Sequence, residues 1–316
     1  MTRIVFMGTP AFAVPPLEKL AQSYEIAAVV TQPDRPAGRK RRLTPPPVKE
    51  AALALDLPVW QPPTLRTPEA IARLRALAPD LVVVVAFGQI LRANVLAVPP
   101  HGCLNVHGSL LPRHRGAAPV TAAILAGENE TGITLMQMDK GMDTGPIIAQ
   151  ATCPIMPDDT TATLREQLCQ LGAGLLIETL PAWLAGEIVP RPQDNSLATY
   201  CRPIAKSDGQ LDWRRPAKEL ARQVRAYIPW PTAFTTWQGE RLKVLGATPL
   251  PAWRGEGQLG QVIALEGGAG VITGEGLLRL ETVQRAGKRA MTAKEFLRGQ
   301  QGFVGSRLGK PPEQNG

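Results

Sequence analysis

Residues 80–87, DLVVVVAF, place five branched apolar residues in succession, Leu81 to Val85. A strand with one wet face alternates apolar and polar residues, whereas an unbroken run has to be covered on both faces. Such a strand belongs at the centre of a parallel sheet, so the chain around it must supply helices for both sides. It does. RIVFMG (3–8) reads as a strand, a helix follows over 16–23, and IAAVVT (26–31) is the next strand. VKEAALALD (48–56) has helical spacing, VW (59–60) opens a short strand, and TPEAIARLRALA (67–78) is a helix with Thr67 as cap and Pro68 at its first position. Beyond the valine run come a strand in CLNVH (103–107), a helix in AAPVTAAILAGE (117–128), strands in GITLMQMD (132–139) and PIIAQATCPI (146–155), and a helix from Thr163 to Leu184. The pattern predicts an α/β fold with a mostly parallel, doubly wound, Rossmann-like sheet. Ligands of such sheets bind outside the carboxyl ends of the strands.

The pattern changes after residue 188. VPRPQDNSLATYCRPIAKSDGQ is polar and proline-rich, and residues 189–206 are expected to link two domains, 1–188 and 207–316. In the second, a helix in KELARQVRAYI (218–228) precedes short strands separated by glycine-containing turns, the spacing of a small OB-like β-barrel. Its lysines and arginines recur from Lys206 to Arg298, and the closing GKPPEQNG reads as a disordered tail. Across the chain 35 Lys and Arg exceed 27 Asp and Glu, a net charge of +8 that favours a polyanionic partner such as nucleic acid. The longest apolar run is far too short to span a bilayer and the start resembles no signal peptide, so a cytoplasmic protein without membrane attachment is expected. Cys103, Cys153, Cys169 and Cys201 lack C-x-x-C spacing and read as reduced thiols, neither a zinc site nor disulfides.

Polar residues at strand ends carry the functional reading. In LNVHGSLLPRHRGAAPV (104–120), Asn105 and His107 alternate with Leu104 and Val106, so amide and imidazole leave one side of a strand. MQMDKGMDTGPI (136–147) adds Asp139 and Asp143 at the next strand-to-loop junction. An amide, an imidazole and a carboxylate suit acyl transfer: the carboxylate orients the histidine and favours its charged form, and the two N–H groups point at an oxyanion. An Asn or His at a strand end also serves simply to cap a loop, and pattern alone leaves that reading open. The loop MGTPAF (7–12) lacks G-x-G-x-x-G, which argues against a dinucleotide oxidoreductase.

At these stretches, and at TQPDRPAGR (31–39), AFGQIL (86–91), DGQLDW (208–213) and AGKRAM (286–291), the chain resembles the methionyl-tRNA formyltransferases, within the wider family of 10-formyltetrahydrofolate-dependent formyltransferases. The resemblance runs in order over nearly the whole chain. It implies transfer of a formyl group to the α-amine of methionyl initiator tRNA, with 10-formyltetrahydrofolate as co-substrate and no metal, by a protein expected to be a monomer. It implies Asn105, His107 and Asp143 as the catalytic trio. Ser109, Leu110, Leu111 and Pro112 become a folate-contacting loop. Phe87, Gly88, Gln89, Ile90, Leu91 and Asp139 wall the pterin pocket, largely through backbone groups. Two positions depart from the family pattern beside the site: His114, where an aromatic such as Trp or Tyr is usual, and Pro146, often Asp. The basic loop of residues 33–49 would enter the acceptor stem with Arg35, Arg39, Lys40, Arg41 and Arg42, and the basic barrel would hold the stem's phosphates. A cis Leu111–Pro112 bond is expected in a turn beside a ligand. Formyl transfer to a small amine (glycinamide ribonucleotide or an amino-sugar nucleotide) is the alternative enzyme, and a non-catalytic RNA-binding protein the alternative class.

Overall fold

A computed structural model describes residues 2–37 and 42–309, so Arg39, Lys40, Arg41 and the tail after Gly309 lie outside the described residues. Contacts divide the chain into two units, one of residues 1–119, 130–154 and 165–201, the other of 120–129, 155–164 and 202–316. In chain order the elements of the first unit are β1 (Arg3–Gly8), α1 (Val14–Ser23), β2 (Glu25–Val30), a hairpin of β3 (Arg35–Ala37) and β4 (Arg42–Thr44), α2 (Pro47–Ala54), β5 (Val59–Trp60), α3 (Pro68–Ala76), β6 (Leu81–Val85), α4 (Ala93–Leu96), β7 (Cys103–His107) and β8 (Arg115–Gly116). Then follow α5 (Pro119–Ala126), β9 (Glu130–Gln137), β10 (Ile147–Pro154), α6 (Thr161–Leu184) and β11 (Tyr200–Cys201).

The sheet has seven strands in the order β10-β9-β7-β6-β1-β2-β5. β7, β6, β1, β2 and β5 run parallel, and β9 and β10 extend the β7 edge antiparallel. β6 is buried at every position, as its unbroken apolar run requires, and the α3 cap is the expected one, with Thr67 Oγ1 accepting from Ala70 N–H. β7 lies between β6 and β9: Asn105 pairs with Val84 on one side and Met136 on the other, and His107 pairs with Thr134. β7 is thereby held on both flanks as far as Asn105 and by β9 alone to His107, where it exits at the sheet's carboxyl edge.

Where the prolines of residues 33–49 argue against regular structure, a short antiparallel hairpin forms, with exposed Arg35 opposite Thr44 at its open end and exposed Arg42 opposite Ala37 at its turn end. The stretch expected to be a linker is ordered: Arg191 bridges Ile147, and β11 pairs parallel with β8, Tyr200 against Arg115 and Cys201 against Gly116.

The second unit adds α7 (Ala217–Ala226), β12 (Ala233–Trp237), β13 (Glu240–Leu250), β14 (Val262–Leu265), β15 (Gly268–Ile272), β16 (Leu277–Arg285), β17 (Met291–Thr292) and α8 (Ala293–Gly299). Its strands form an antiparallel sheet, β12-β13-β16-β15-β14, with β17 beside β16; among the described residues no ladder joins β12 to β14. Trp237, Phe296 and Phe303 meet edge to face at centroid distances of 4.9–5.6 Å in its core. Segments 120–129 and 155–164 group with this unit, and Arg222 Nη1 donates to the Ala126 carbonyl of the first at 3.3 Å. The Thr161 hydroxyl donates to the Ala226 carbonyl at 2.6 Å, and Arg225 Nη1 donates to the Asp159 carbonyl at 2.6 Å. No helix among the described residues is long and apolar enough to cross a membrane.

Candidate active site

The structure brings Asn105, His107 and Asp143 together at the carboxyl end of β7. Asn105 is 9% exposed, and its amide makes no hydrogen bond among the described residues. The amide is not among the fully buried unsatisfied polar groups, so it reaches solvent and is open to a ligand. His107, beside it on the same side of the strand, is 6% exposed, with Nδ1 3.8 Å from Asp143 Oδ2. Its Nε2 lies 3.1 Å from the carbonyl oxygen of His114. A carbonyl oxygen only accepts, so Nε2 carries the proton and the lone pair of the neutral ring, on Nδ1, faces the carboxylate.

This arrangement changes one element of the sequence reading. The ring is held from two sides, with Nε2 donating to the His114 carbonyl and Nδ1 facing Asp143, so its N–H is already engaged within the protein. His114 can present its carbonyl because it is left-handed, with φ +57°, and its N–H is held by Thr199 Oγ1 at 2.8 Å. Burial pushes the His107 imidazole below its ordinary range, against the raising effects of the Asp143 charge and the backbone hydrogen bond. Asp143, also left-handed at φ +54°, is anchored through Oδ2 by Gly116 N–H at 2.8 Å.

Residues 109–112 form a clamped turn, and Leu111–Pro112 is cis as expected; Ile228–Pro229 and Trp230–Pro231 are cis as well. Ser109 Oγ donates to the Arg113 carbonyl, and Leu110 lies half-buried between two buried neighbours. The organiser is Thr134, fully buried on β9, which the sequence reading missed. Its Oγ1 donates to the Ser109 carbonyl (2.7 Å) and accepts from Leu111 N–H (2.9 Å) and Gln150 Nε2 (2.9 Å). A polar residue inside the apolar run ITLM was the available signal.

The loop after β6 divides by side chain. Phe87 and Leu91 are in the core, and Gln89 is tied to Leu65 N–H and the Pro62 carbonyl, while Gly88 and Ile90 are exposed. Its core members can therefore meet a ligand only through their backbones. Asp139 is exposed and accepts from Gly141 N–H and Thr144 Oγ1, closing the loop that carries Asp143. Gly145 ends that loop at a close approach: a Cβ there would lie 1.8 Å from the Gln137 carbonyl oxygen. Of the basic loop, Arg35 donates to Gln32 Oε1 and Arg42 is exposed; the base of the hairpin is fastened where Lys49 Nζ and Gln61 Nε2 both donate to Asp34.

Comparison with known proteins places this geometry in context. Residues 2–180 match the family model described as formyl transferase, and residues 203–301 match the formyl transferase C-terminal domain. The chain is 50% identical over 309 residues to a methionyl-tRNA formyltransferase of Roseiflexus sp. (strain RS-1), covering 97% of this chain and 95% of that one. Among solved structures, the N-formyltransferase of Helicobacter canadensis in complex with folinic acid and dTDP-3-aminofucose aligns over 90% of this chain and 100% of its own, with TM-score 0.68 and 20% identity. HypX from Aquifex aeolicus in complex with tetrahydrofolic acid aligns over 96% of this chain but 48% of its own, with TM-score 0.61 and 18% identity.

The state of His107 has a measurable consequence. Its folded pKa lies below the 6.5 of a free imidazole, so the unfolded chain takes up a proton first as pH falls. The stability it contributes is present above about pH 6.5 and is lost as pH falls toward the lower folded value. The urea midpoint should fall on acidification below about pH 6.5, and His107→Gln should reduce that slope.

Proposed function

The chain belongs to the formyl transferase family, and on that footing we propose that it formylates methionyl initiator tRNA, with Asn105, His107 and Asp143 as the catalytic residues and 10-formyltetrahydrofolate as donor. The full-length likeness to methionyl-tRNA formyltransferases supports the substrate pair. The observation that carries the site assignment is the unpartnered Asn105 amide, held at the sheet edge beside an imidazole whose Nδ1 faces a carboxylate.

In the reaction the methionyl amine attacks the formyl carbon, the carbonyl oxygen becomes an oxyanion, and the carbon–nitrogen bond to the folate breaks. An α-amine titrates near pKa ~8, so a useful fraction is already neutral at neutral pH. Positioning and oxyanion stabilisation therefore carry most of the rate. Asn105 donates to the oxyanion. His107, kept neutral by burial and with Nδ1 unprotonated, accepts the proton the amine releases; the cation so formed faces Asp143 and is stabilised by it. His107 then returns the proton to the departing nitrogen, which balances the exchange. Residues 109–112, held by Thr134, and the backbone of 87–91 with Asp139 line the donor's side.

Arg35 and Arg42, exposed on the hairpin, act with Arg39, Lys40 and Arg41 on the acceptor stem, and the basic second unit neutralises phosphates farther along. Their placement after β2, one of the parallel strands whose carboxyl ends share the β7 edge, supports this reading.

The decisive experiment supplies labelled 10-formyltetrahydrofolate with methionyl initiator tRNA, methionyl elongator tRNA, glycinamide ribonucleotide or an amino-sugar nucleotide. Label should appear in the initiator tRNA; label in a small amine instead would overturn the acceptor assignment. Asn105→Ala should lower kcat by about a hundredfold or more with little change in folate affinity, and a change confined to KM would remove it as oxyanion donor. Binding of charged tRNA should weaken steeply with salt, with a shallower slope once residues 35, 39, 40, 41 and 42 are neutralised. An unaltered slope would take the loop out of the interface.

A further inference from the structure

Between the two family matches, residues 181–202 belong to neither, and within this stretch Gln193 reaches the loop that carries Asp143. Its Nε2 donates to the carbonyl oxygens of Asp143 at 2.9 Å and Gly145 at 2.7 Å. Its Oε1 accepts from Arg115 Nε at 3.0 Å and Nη2 at 2.7 Å. The two ends of the amide are not interchangeable here, because carbonyls only accept and a guanidinium only donates. Arg115 is 1% exposed, and among the described residues no carboxylate pairs with it. Its other partners are the neutral Asn195 Oδ1 at 2.8 Å and Tyr200 Oη at 3.1 Å. A buried cation served only by neutral oxygens holds each of them firmly, since losing one leaves charge uncompensated.

The strap and the carboxylate also meet at Gly116. Its N–H holds Asp143 Oδ2, its backbone pairs with Cys201, and a Cβ on it would lie 2.2 Å from the Cys201 carbonyl oxygen. Asp143 occupies a left-handed conformation that a non-glycine residue keeps only when its surroundings impose it. Asp139 pins one side of the 139–145 loop and Gln193 the other.

We propose that Gln193, locked by the buried Arg115, is a positioning residue for formyl transfer that sets the backbone of Asp143 and with it the separation of that carboxylate from His107. The inference rests on the catalytic reading of the trio given above.

The test is a double-mutant cycle on the full chain, with kcat and both KM values measured for Gln193→Ala, Asp143→Ala and the double variant. Gln193→Ala should lower kcat about tenfold, with each KM within about twofold of wild type. In the Asp143→Ala background the same substitution should cost less than about twofold, because the group it positions is gone. An equal loss in both backgrounds, or a loss in KM alone, would overturn the proposal. If Asp143→Ala by itself leaves kcat unchanged, the reading of the trio fails, which is a separate result. Gln193→Glu guards against misfolding: it keeps an acceptor for Arg115 and removes the donor to the loop. Its kcat should fall as far as that of Gln193→Ala, and a wild-type kcat for Gln193→Glu would overturn the proposal.

Discussion

The hydrogen bond from His107 Nε2 to the carbonyl of His114 fixes the orientation of the ring on which the proposed chemistry depends. It engages one nitrogen of a buried ring, so in the neutral ring the other carries the lone pair and faces Asp143. Burial pushes the imidazole below its ordinary range, and in the proposed reaction the neutral ring accepts a proton and is then stabilised as a cation by the carboxylate. The bond exists only because residues 108–114 double back over the end of β7. That return is secured by Thr134 from the next strand and by the left-handed backbone at His114. This loop thus orients the His107 ring through a main-chain carbonyl.

Asp143 depends on a longer chain of support. Its carboxylate is held by Gly116 and its backbone by Gln193, whose orientation follows from Arg115. Each member is a hydrogen bond whose polarity allows one arrangement, which is how a carboxylate on a partly exposed loop keeps a fixed place. The basic hairpin follows a different logic: its base is tied by Asp34, Lys49 and Gln61, while Arg35 and Arg42 are exposed, and phosphate binding requires charge more than a fixed rotamer.

Much of this was legible in the chain itself. The valines of β6, the Thr67 cap of α3 and the period-two alternation of β7 report local rules, and each element appears where those rules put it. Asn105 and His107 were legible because strand geometry sends them to one side. The order and tight pairing of residues 189–206 were not, since proline-rich polar sequence describes a tether as well as a strap. The grouping of 120–129 and 155–164 with the second unit was equally hidden, because Arg222, Thr161 and Arg225 find their carbonyl partners far away in sequence.

By itself the sequence determined the elements, the parallel sheet, the strand end that bears the functional groups and, through motifs spread along the chain, the formyl transferase resemblance. Only the tertiary structure decided which nitrogen of His107 meets the His114 carbonyl, which groups hold Asp143, and that Thr134 bonds the 109–111 turn and Gln193 the 143–145 loop. Periodicity depends on neighbours a few residues apart, whereas these bonds join groups 7 to 50 residues apart and exist only once the sheet has set their distances.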